Sequence, residues 1–208
     1  MSPGAATAAA DEAALFASID LSPIATVITN PRLDDNPVVA ANPAFCVLTG
    51  YHHADIIGRN CRFLAGESTE VSGTERIRES IRSLTPSLCE LLNYKKDGTP
   101  FRNAVLIAPI LDPEGNAAWF LGSQVEVGGG SEAPLALRQQ RARQLVGKLP
   151  PRQREVLSEM AQGYRNKQIA WRLSLSEKTV KMHRQLLLGN LRVSTTADAI
   201  RIAVEAGE

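Results

Sequence analysis

Three uncharged amides stand at strand positions where apolar side chains are expected. In the stretch 100–111, alternation sets Asn103 in phase with Phe101, Val105 and Ile107. In 87–95 it sets Asn93 with Cys89 and Leu91, and in 118–127 it sets Gln124 with Phe120 and Gly122. A buried amide without partners costs about 1–3 kcal/mol. Three of them on neighbouring strands point to a shared polar ligand, or else to hydrogen bonds with loops or with one another. Cysteine is the other reactive type. Cys46, Cys61 and Cys89 are odd in number, widely spaced and form no CxxC, which argues against a disulfide framework and a zinc site. The default reading of each is a small buried hydrophobe, and no metal is expected.

These side chains need a sheet to hold them. Residues 24–29 form a β-branched run stopped by Asn30-Pro31, and 38–41 form a second, stopped by Asn42-Pro43. Short helical pieces fill 43–84, the longest beginning near Thr74. Strands at 87–95, 100–111 and 118–127 follow, turned by Asp97-Gly98 and Asp112-Pro113-Glu114-Gly115. Gly128-Gly129-Gly130-Ser131 then reads as a linker, and 135–146 as a connecting helix with one apolar edge. Beyond it the pattern is all helix, at 151–162, 166–173, 177–188 and 196–206, with Gly163 and Gly207 placed as C′ glycines. The expected organisation has four parts: a disordered lead-in over 1–14, an α+β domain over 15–127, a linker over 128–147, and an all-α four-helix domain over 148–208. The α+β domain would be a five-stranded antiparallel sheet with short helices.

The net charge of +1 hides a split. Residues 1–133 carry nine Lys/Arg against sixteen Asp/Glu, a net of −7, whereas 134–208 carry fourteen against six, a net of +8. A basic second half suggests nucleic-acid contact, and an acidic first half could also attract it. No apolar run approaches the ~20 residues that span a bilayer. The Ala-rich opening lacks the basic region of a secretory signal, so the chain reads as cytoplasmic. The helical half carries no catalytic constellation, and no enzyme is expected.

The segment Gly58-Arg59-Asn60-Cys61-Arg62-Phe63-Leu64 closely resembles the signature of LOV (light-oxygen-voltage) photoreceptors, PAS-type domains that bind FMN. Asn93-Tyr94-Lys95-Lys96-Asp97-Gly98, Phe101-Arg102-Asn103 and Gly122-Ser123-Gln124 follow in that family's order, so the resemblance covers about residues 20–127. It implies that Cys61 forms a reversible adduct with the flavin C4a carbon, and that Asn93 and Asn103 hydrogen-bond the pyrimidine edge. It further implies that Gln124 faces N5 and reorients, that Arg62 and Arg78 pair with the phosphate, and that Asn60 contacts the ribityl chain. Val27, Val105, Leu106 and Ile107 would be apolar walls. Arginine suits a phosphate through its bidentate fork. Ala65 stands where the family often has Gln, which removes a polar contact to the flavin tail. His52 and His53 read as solvated, and Cys46 and Cys89 as core.

The segment 149–207 resembles the LuxR-type helix-turn-helix. The resemblance is carried by Arg152-Gln153-Arg154-Glu155-Val156-Leu157, Asn166-Lys167-Gln168-Ile169-Ala170 and Leu175-Ser176-Glu177-Lys178-Thr179-Val180-Lys181. Ser176 is placed as N-cap of the recognition helix, with Val180, Leu187 and Leu191 facing the core and His183 packed and hydrogen-bonded. Lys178 and Lys181 are expected at bases or nearby phosphates of double-stranded DNA, and Arg184, Lys167 and Arg165 at phosphates. Pro150-Pro151-Arg152-Gln153 departs from the family's Thr-Pro-Arg-Glu capping box. Trp171 is bulkier, and Asn190 less basic, than is usual, so a lower DNA affinity is expected. The last helix would mediate dimerisation.

Together the halves imply a blue-light-regulated transcription factor. In darkness the acidic domain would hold the basic one and cover its dimer helix, and light would release it. Two rivals share the fold: a flavin-based redox sensor, and a PAS regulator of small molecules without flavin.

Overall fold

The structure is a computed structural model that describes residues 15–128 and 135–208. The lead-in at 1–14 and the core of the Gly-rich linker lie outside the described residues. After a helical turn at 15–19 come strands β1 (Ala25–Thr29) and β2 (Val38–Ala41). Helices α1 (Pro43–Thr49) and α2 (His53–Ile56), a 3-10 turn (Cys61–Leu64) and helix α3 (Val71–Ser83) follow. Strands β3 (Ser87–Tyr94), β4 (Pro100–Leu111) and β5 (Ala117–Val127) complete one antiparallel sheet in the order β2-β1-β5-β4-β3. The rest is helical: α4 (Leu135–Gly147), α5 (Pro151–Ala161), α6 (Asn166–Arg172), α7 (Glu177–Leu191) and α8 (Thr196–Ala206). No helix among the described residues is long and apolar enough to cross a membrane.

Two elements run longer than their sequence patterns predict. Helix α3 opens at Val71 rather than near Thr74, because Glu70 anchors its start from outside the helix. The Glu70 carboxylate accepts the Leu92 N–H at 2.7 Å and pairs with Arg102, tying α3 to β3 and β4. Helix α7 continues past Leu188 to bury Leu191, and Arg192 ends it in the left-handed region (φ 58°).

Asn42 is a local hub. Its Oδ1 accepts the N–H groups of Thr26 and Phe45, each at 2.9 Å, and its Nδ2 donates to the carbonyls of Ile19, Ser22 and Ile24. One buried side chain thereby caps α1, holds β1 and fixes the segment ahead of it.

Pairing sets the two sheet faces. Val27, Gly122 and Ile107 lie side by side, as do Ala25, Gln124, Val105 and Cys89. On the opposite face stand Ile28, Leu121 and Ala108, and beside them Thr26, Ser123, Leu106 and Leu88. Helices α1 to α3 cover the first face, and the helical domain covers the second. Ile28, Leu106, Trp119 and Leu121 share one apolar cluster with Leu157, Met160, Ile200 and Ala203, and α8 packs on β3, β4 and β5. Leu106 therefore is not a wall of the first face. It is fully buried behind the sheet, because a one-residue step along a strand reverses the face.

Polar contacts fasten this seam at three places. Ser22 Oγ donates to Asp198 at 2.6 Å, and Arg201 Nη1 donates to Ser123 Oγ at 2.7 Å. At the end of β4, the Leu111 N–H donates to the Gly163 carbonyl at 2.9 Å. Arg165 Nε donates to the Leu111 carbonyl and Gln168 Nε2 to that of Asp112, both at 2.8 Å. The domains thus meet through apolar packing and hydrogen bonds to backbone and hydroxyl groups, and bulk charge opposition is not what fastens these points.

Two outcomes follow for the fold. Glu70 is held near pKa 2 by the Leu92 N–H first and by Arg102 second. Its stabilising contribution is complete above pH 4.5 and is lost as pH falls towards 2. Glu70→Gln should lower the melting temperature near neutral pH and shrink the wild-type stability loss across that acid window. Gly163 has φ +90°, and a Cβ there would meet the Pro109 carbonyl oxygen at 2.5 Å. Gly163→Ala should therefore open the seam, read as a larger radius of gyration by X-ray scattering. An unchanged radius would refute this.

Candidate functional site

The first sheet face and helix α3 enclose a cavity of about 340 Å³. Strand β2 positions its reactive edge: the Gly58 N–H donates to the Val38 carbonyl at 2.9 Å, and the Val38 N–H to the Arg59 carbonyl at 2.8 Å. Asn60 then caps the 3-10 turn. Its Oδ1 accepts the Arg62 N–H at 3.0 Å and its Nδ2 donates to the Asp35 carbonyl at 2.6 Å. Phe63 holds the turn from outside, edge-on to Tyr51 at 4.8 Å and beneath the Arg59 guanidinium at 4.5 Å. This places Cys61 on the cavity wall. Burial pushes the Cys61 thiol up to about 12, so it keeps its proton across the neutral range.

The floor of the cavity is the sheet. Val27, Val105 and Ile107 line it, with Phe120 and Gly122. A Cβ on Gly122 would stand 2.9 Å from Val27 Cγ2, so a side chain at this position would crowd the floor. Asn93 and Gln124 also line it. Asn103 joins them by donating from Nδ2 to Asn93 Oδ1 at 2.9 Å and to Gln124 Oε1 at 2.8 Å. The amides do bond one another, but Asn103 Oδ1 is left buried without a partner, on a residue with 0 % exposure. An orphaned acceptor inside an otherwise connected amide cluster has the chemistry to receive a ligand N–H.

Asn60, Arg62 and Arg78 line the same cavity. Both guanidiniums are well exposed, Arg62 paired with Asp35 at 2.6 Å and Arg78 with Glu75. Exposed pairs contribute only ~0–1 kcal/mol, so either could exchange its acid for a phosphate at little cost. Ala65 lines the cavity where a longer polar side chain would reach in. Thr29, Thr74, Ile77 and Leu91 are wall residues that the sequence reading missed. The phase of Leu91 with Asn93 carried the signal for that one, but the helix residues gave none. Cys46 is half-buried rather than fully core, Cys89 is buried, and His52 and His53 are exposed. No cluster of His, Cys, Asp or Glu suited to a metal exists among the described residues.

The second candidate surface is on the helical domain. Ser176 caps α7, its Oγ accepting the Thr179 N–H at 3.1 Å, and Val180, Leu187 and Leu191 are buried. Lys167, Lys178 and Lys181 are exposed. Arg184 is not on that open face. It falls four residues after Val180 and three before Leu187, is half-buried, and donates to Asn166 Oδ1 at 2.5 Å and Thr196 Oγ1 at 3.0 Å. Arg165 is likewise engaged, at the seam. Met182 and Gln185, passed over in the sequence, complete an exposed stripe with Lys178 and Lys181 at i, i+3, i+4 and i+7. His183, expected to be packed and hydrogen-bonded, is half-buried and its Nδ1 has no hydrogen-bond partner. The two unusual residues Gln153 and Asn190 meet: Asn190 Nδ2 donates to Gln153 Oε1 at 2.7 Å.

A profile of the PAS domain matches residues 23–127, half of the chain. The chain belongs to the PAS family. A profile of bacterial regulatory proteins of the luxR family matches residues 148–203, so a luxR-type helix-turn-helix follows the PAS domain. A blue-light-activated histidine kinase of Brucella anthropi is 43% identical over 111 residues, which is 53% of this chain and 23% of the kinase. The LOV domain of the Erythrobacter litoralis EL346 blue-light-activated histidine kinase is 36% identical with a TM-score of 0.50. That match covers 51% of this chain and 98% of the solved domain. A light-oxygen-voltage domain whose mechanism was studied with a flavin analogue is 40% identical, with a TM-score of 0.50, over 51% of this chain and 78% of that one. The chain spans about a quarter of the length of the curated relatives it matches. The PAS domain is therefore of LOV type, a five-stranded antiparallel sheet with helices, followed by a helical luxR-type domain.

Within this site, Asn103→Leu should destabilise the fold by about 2 kcal/mol or more, since Asn93 Oδ1 and Gln124 Oε1 both lose their donor. Urea denaturation reads this directly. A midpoint equal to wild type would show the amide cluster to be dispensable.

Proposed function

We propose that this chain is a blue-light-regulated DNA-binding regulator whose sheet cavity holds FMN. The observation that carries the reading is the cavity itself, with a thiol on one wall, amides on the floor and two guanidiniums at its edge. Asn103 Oδ1 supplies the missing acceptor for a ring N–H, Asn93 and Gln124 add polar edges, and Val27, Val105 and Ile107 flank the ring faces. Arg62 and Arg78 would release their acids to hold the phosphate, and Asn60 would meet the ribityl chain. Bound there, the flavin would supply blue-light absorption and an electron-poor ring carbon for the Cys61 thiol on the cavity wall. Cys61 supplies sulfur and proton, and its raised pKa keeps that proton in place.

The route to the output runs through one peptide bond. Gln124 faces the cavity, and its neighbour Ser123 faces the seam, where it accepts the Arg201 hydrogen bond from α8. Reorientation of Gln124 disturbs β5 where Ser123 is held. We assign the docked arrangement to darkness, with α8 covered by the sheet. The released domain would pair through α8 and bind double-stranded DNA through Lys178, Lys181 and Lys167, with Met182 and Gln185 on the same stripe. Moving such an equilibrium from mostly docked to mostly open takes about 5 kcal/mol. The division proposed is a sensor over 15–127, a linker over 128–147 and an output domain over 148–208, acting as a regulator rather than an enzyme in the cytoplasm.

The purified chain should show a flavin absorption band that blue light bleaches reversibly. Cys61→Ala should keep the band, lose the bleaching and bind duplex DNA equally in light and dark. Because the thiol stays protonated below about pH 12, the bleaching amplitude should stay level from about pH 6 to about pH 10. A colourless protein, or equal wild-type DNA binding in light and dark, would overturn the reading. A response to oxidant that survives Cys61→Ala would favour redox sensing instead.

A further inference from the structure

We infer that Trp171 is a DNA-backbone contact, its indole ring lying against a deoxyribose and its N–H donating to a phosphate oxygen. The inference rests on the DNA-binding reading above. Trp171 is 82 % exposed, whereas Trp119, the other tryptophan, is buried in the seam between the domains. Among the described residues no ring packs on Trp171 and no cation sits over it. A lone exposed apolar side chain is ordinary at a protein surface, but an indole combines a large rigid apolar face with one N–H donor and is suited to a partner that offers both an apolar surface and an acceptor.

Its position selects that partner. Lys167 and Trp171 are four residues apart on α6 and both exposed, while Ile169 and Ala170 between them are buried. Ser174, at φ 55°, turns the chain tightly into α7, whose open stripe begins with Lys178 and Lys181. Trp171 thereby shares the exposed side of α6 with Lys167, in a half of the chain with net charge +8. Indole N–H is a donor with no acceptor, and so matches a phosphate oxygen while the ring matches the apolar sugar face. On α6 the exposed neighbour one turn before Trp171 is a lysine, which favours a polyanion, although Met182 and Leu186 are exposed on α7. The bulk of Trp171, expected from the sequence to weaken DNA binding, would strengthen it. Because sugar and phosphate are the same at every step, the gain is independent of sequence.

That independence allows a test without the target site. Binding of the full-length, illuminated chain to a mixed-sequence 30-base-pair duplex (about three helical turns) is measured across a salt series. Trp171→Ala should weaken binding about five- to tenfold at every salt concentration, and Trp171→Phe should fall between it and wild type. The salt slope should not change in either variant, whereas Lys167→Ala should reduce it by about one. In Trp119→Phe, where Trp171 is the remaining tryptophan, duplex should quench or shift the indole emission. If that variant folds poorly, the difference between wild type and Trp171→Phe isolates the same signal. Wild-type affinity in Trp171→Ala, or emission untouched at saturating duplex, would overturn the inference and leave the light-regulated reading standing. A loss of self-association with unchanged duplex affinity would assign Trp171 to a protein contact and also overturn it. If the wild type bound no duplex in either light state, both readings would fall.

Discussion

Every strand residue of β4 and β5 has to serve one of two faces, and both faces are covered. Alternation along a strand is strict, so neighbouring residues report to different compartments. Gln124 reports to the cavity and Ser123 to the helical domain. The whole arrangement depends on this opposition. A sheet with one solvated face would leave the rear of the cavity floor in water and give the floor nothing to act upon. Here that rear face carries a second domain, and Arg201, almost wholly buried, reaches the sheet from α8.

The buried arginine belongs to a short polar chain. Arg201 Nε donates to Glu205 at 2.8 Å, and Arg138 of α4 donates to the same carboxylate oxygen at 2.7 Å. A buried ion pair of this kind is a poor source of stability, since desolvation offsets most of its attraction. It is a good source of geometry, because its members tolerate few alternative positions. The connecting helix, the last helix and β5 are thereby set relative to one another. Asp198 and Ser22 do the same at the other end of α8.

The covering of both faces also explains what the sequence could and could not reveal. Asn93, Asn103 and Gln124 were legible because an amide in phase with apolar neighbours breaks a pattern. Cys61 with Arg62 was legible as a signature, and Ser176 as a cap. Leu106 was misplaced for the opposite reason. The resemblance set it among the walls although it is out of phase with Val105 and Ile107, and from Ala104 to Ala108 every side chain is apolar, so polarity within that run gives no sign that Leu106 faces a second domain. The cover comes from residues about ninety positions later. Arg165 and Arg184 were read as phosphate contacts because composition says nothing of what a guanidinium meets inside the fold. Asn42 was read only as the stop of a strand, although it makes five hydrogen bonds to three neighbouring segments.

The Gln153–Asn190 contact bears on how the helical domain meets a changing ionic environment. It joins α5 to α7 with a neutral hydrogen bond. Dissolved ions screen interactions between charges, and this bond has none to screen. The support beneath the recognition helix is thereby insulated from ionic strength, while the lysines on its outer face remain fully subject to it. Salt would loosen the grip on a polyanion without softening the hand that makes it.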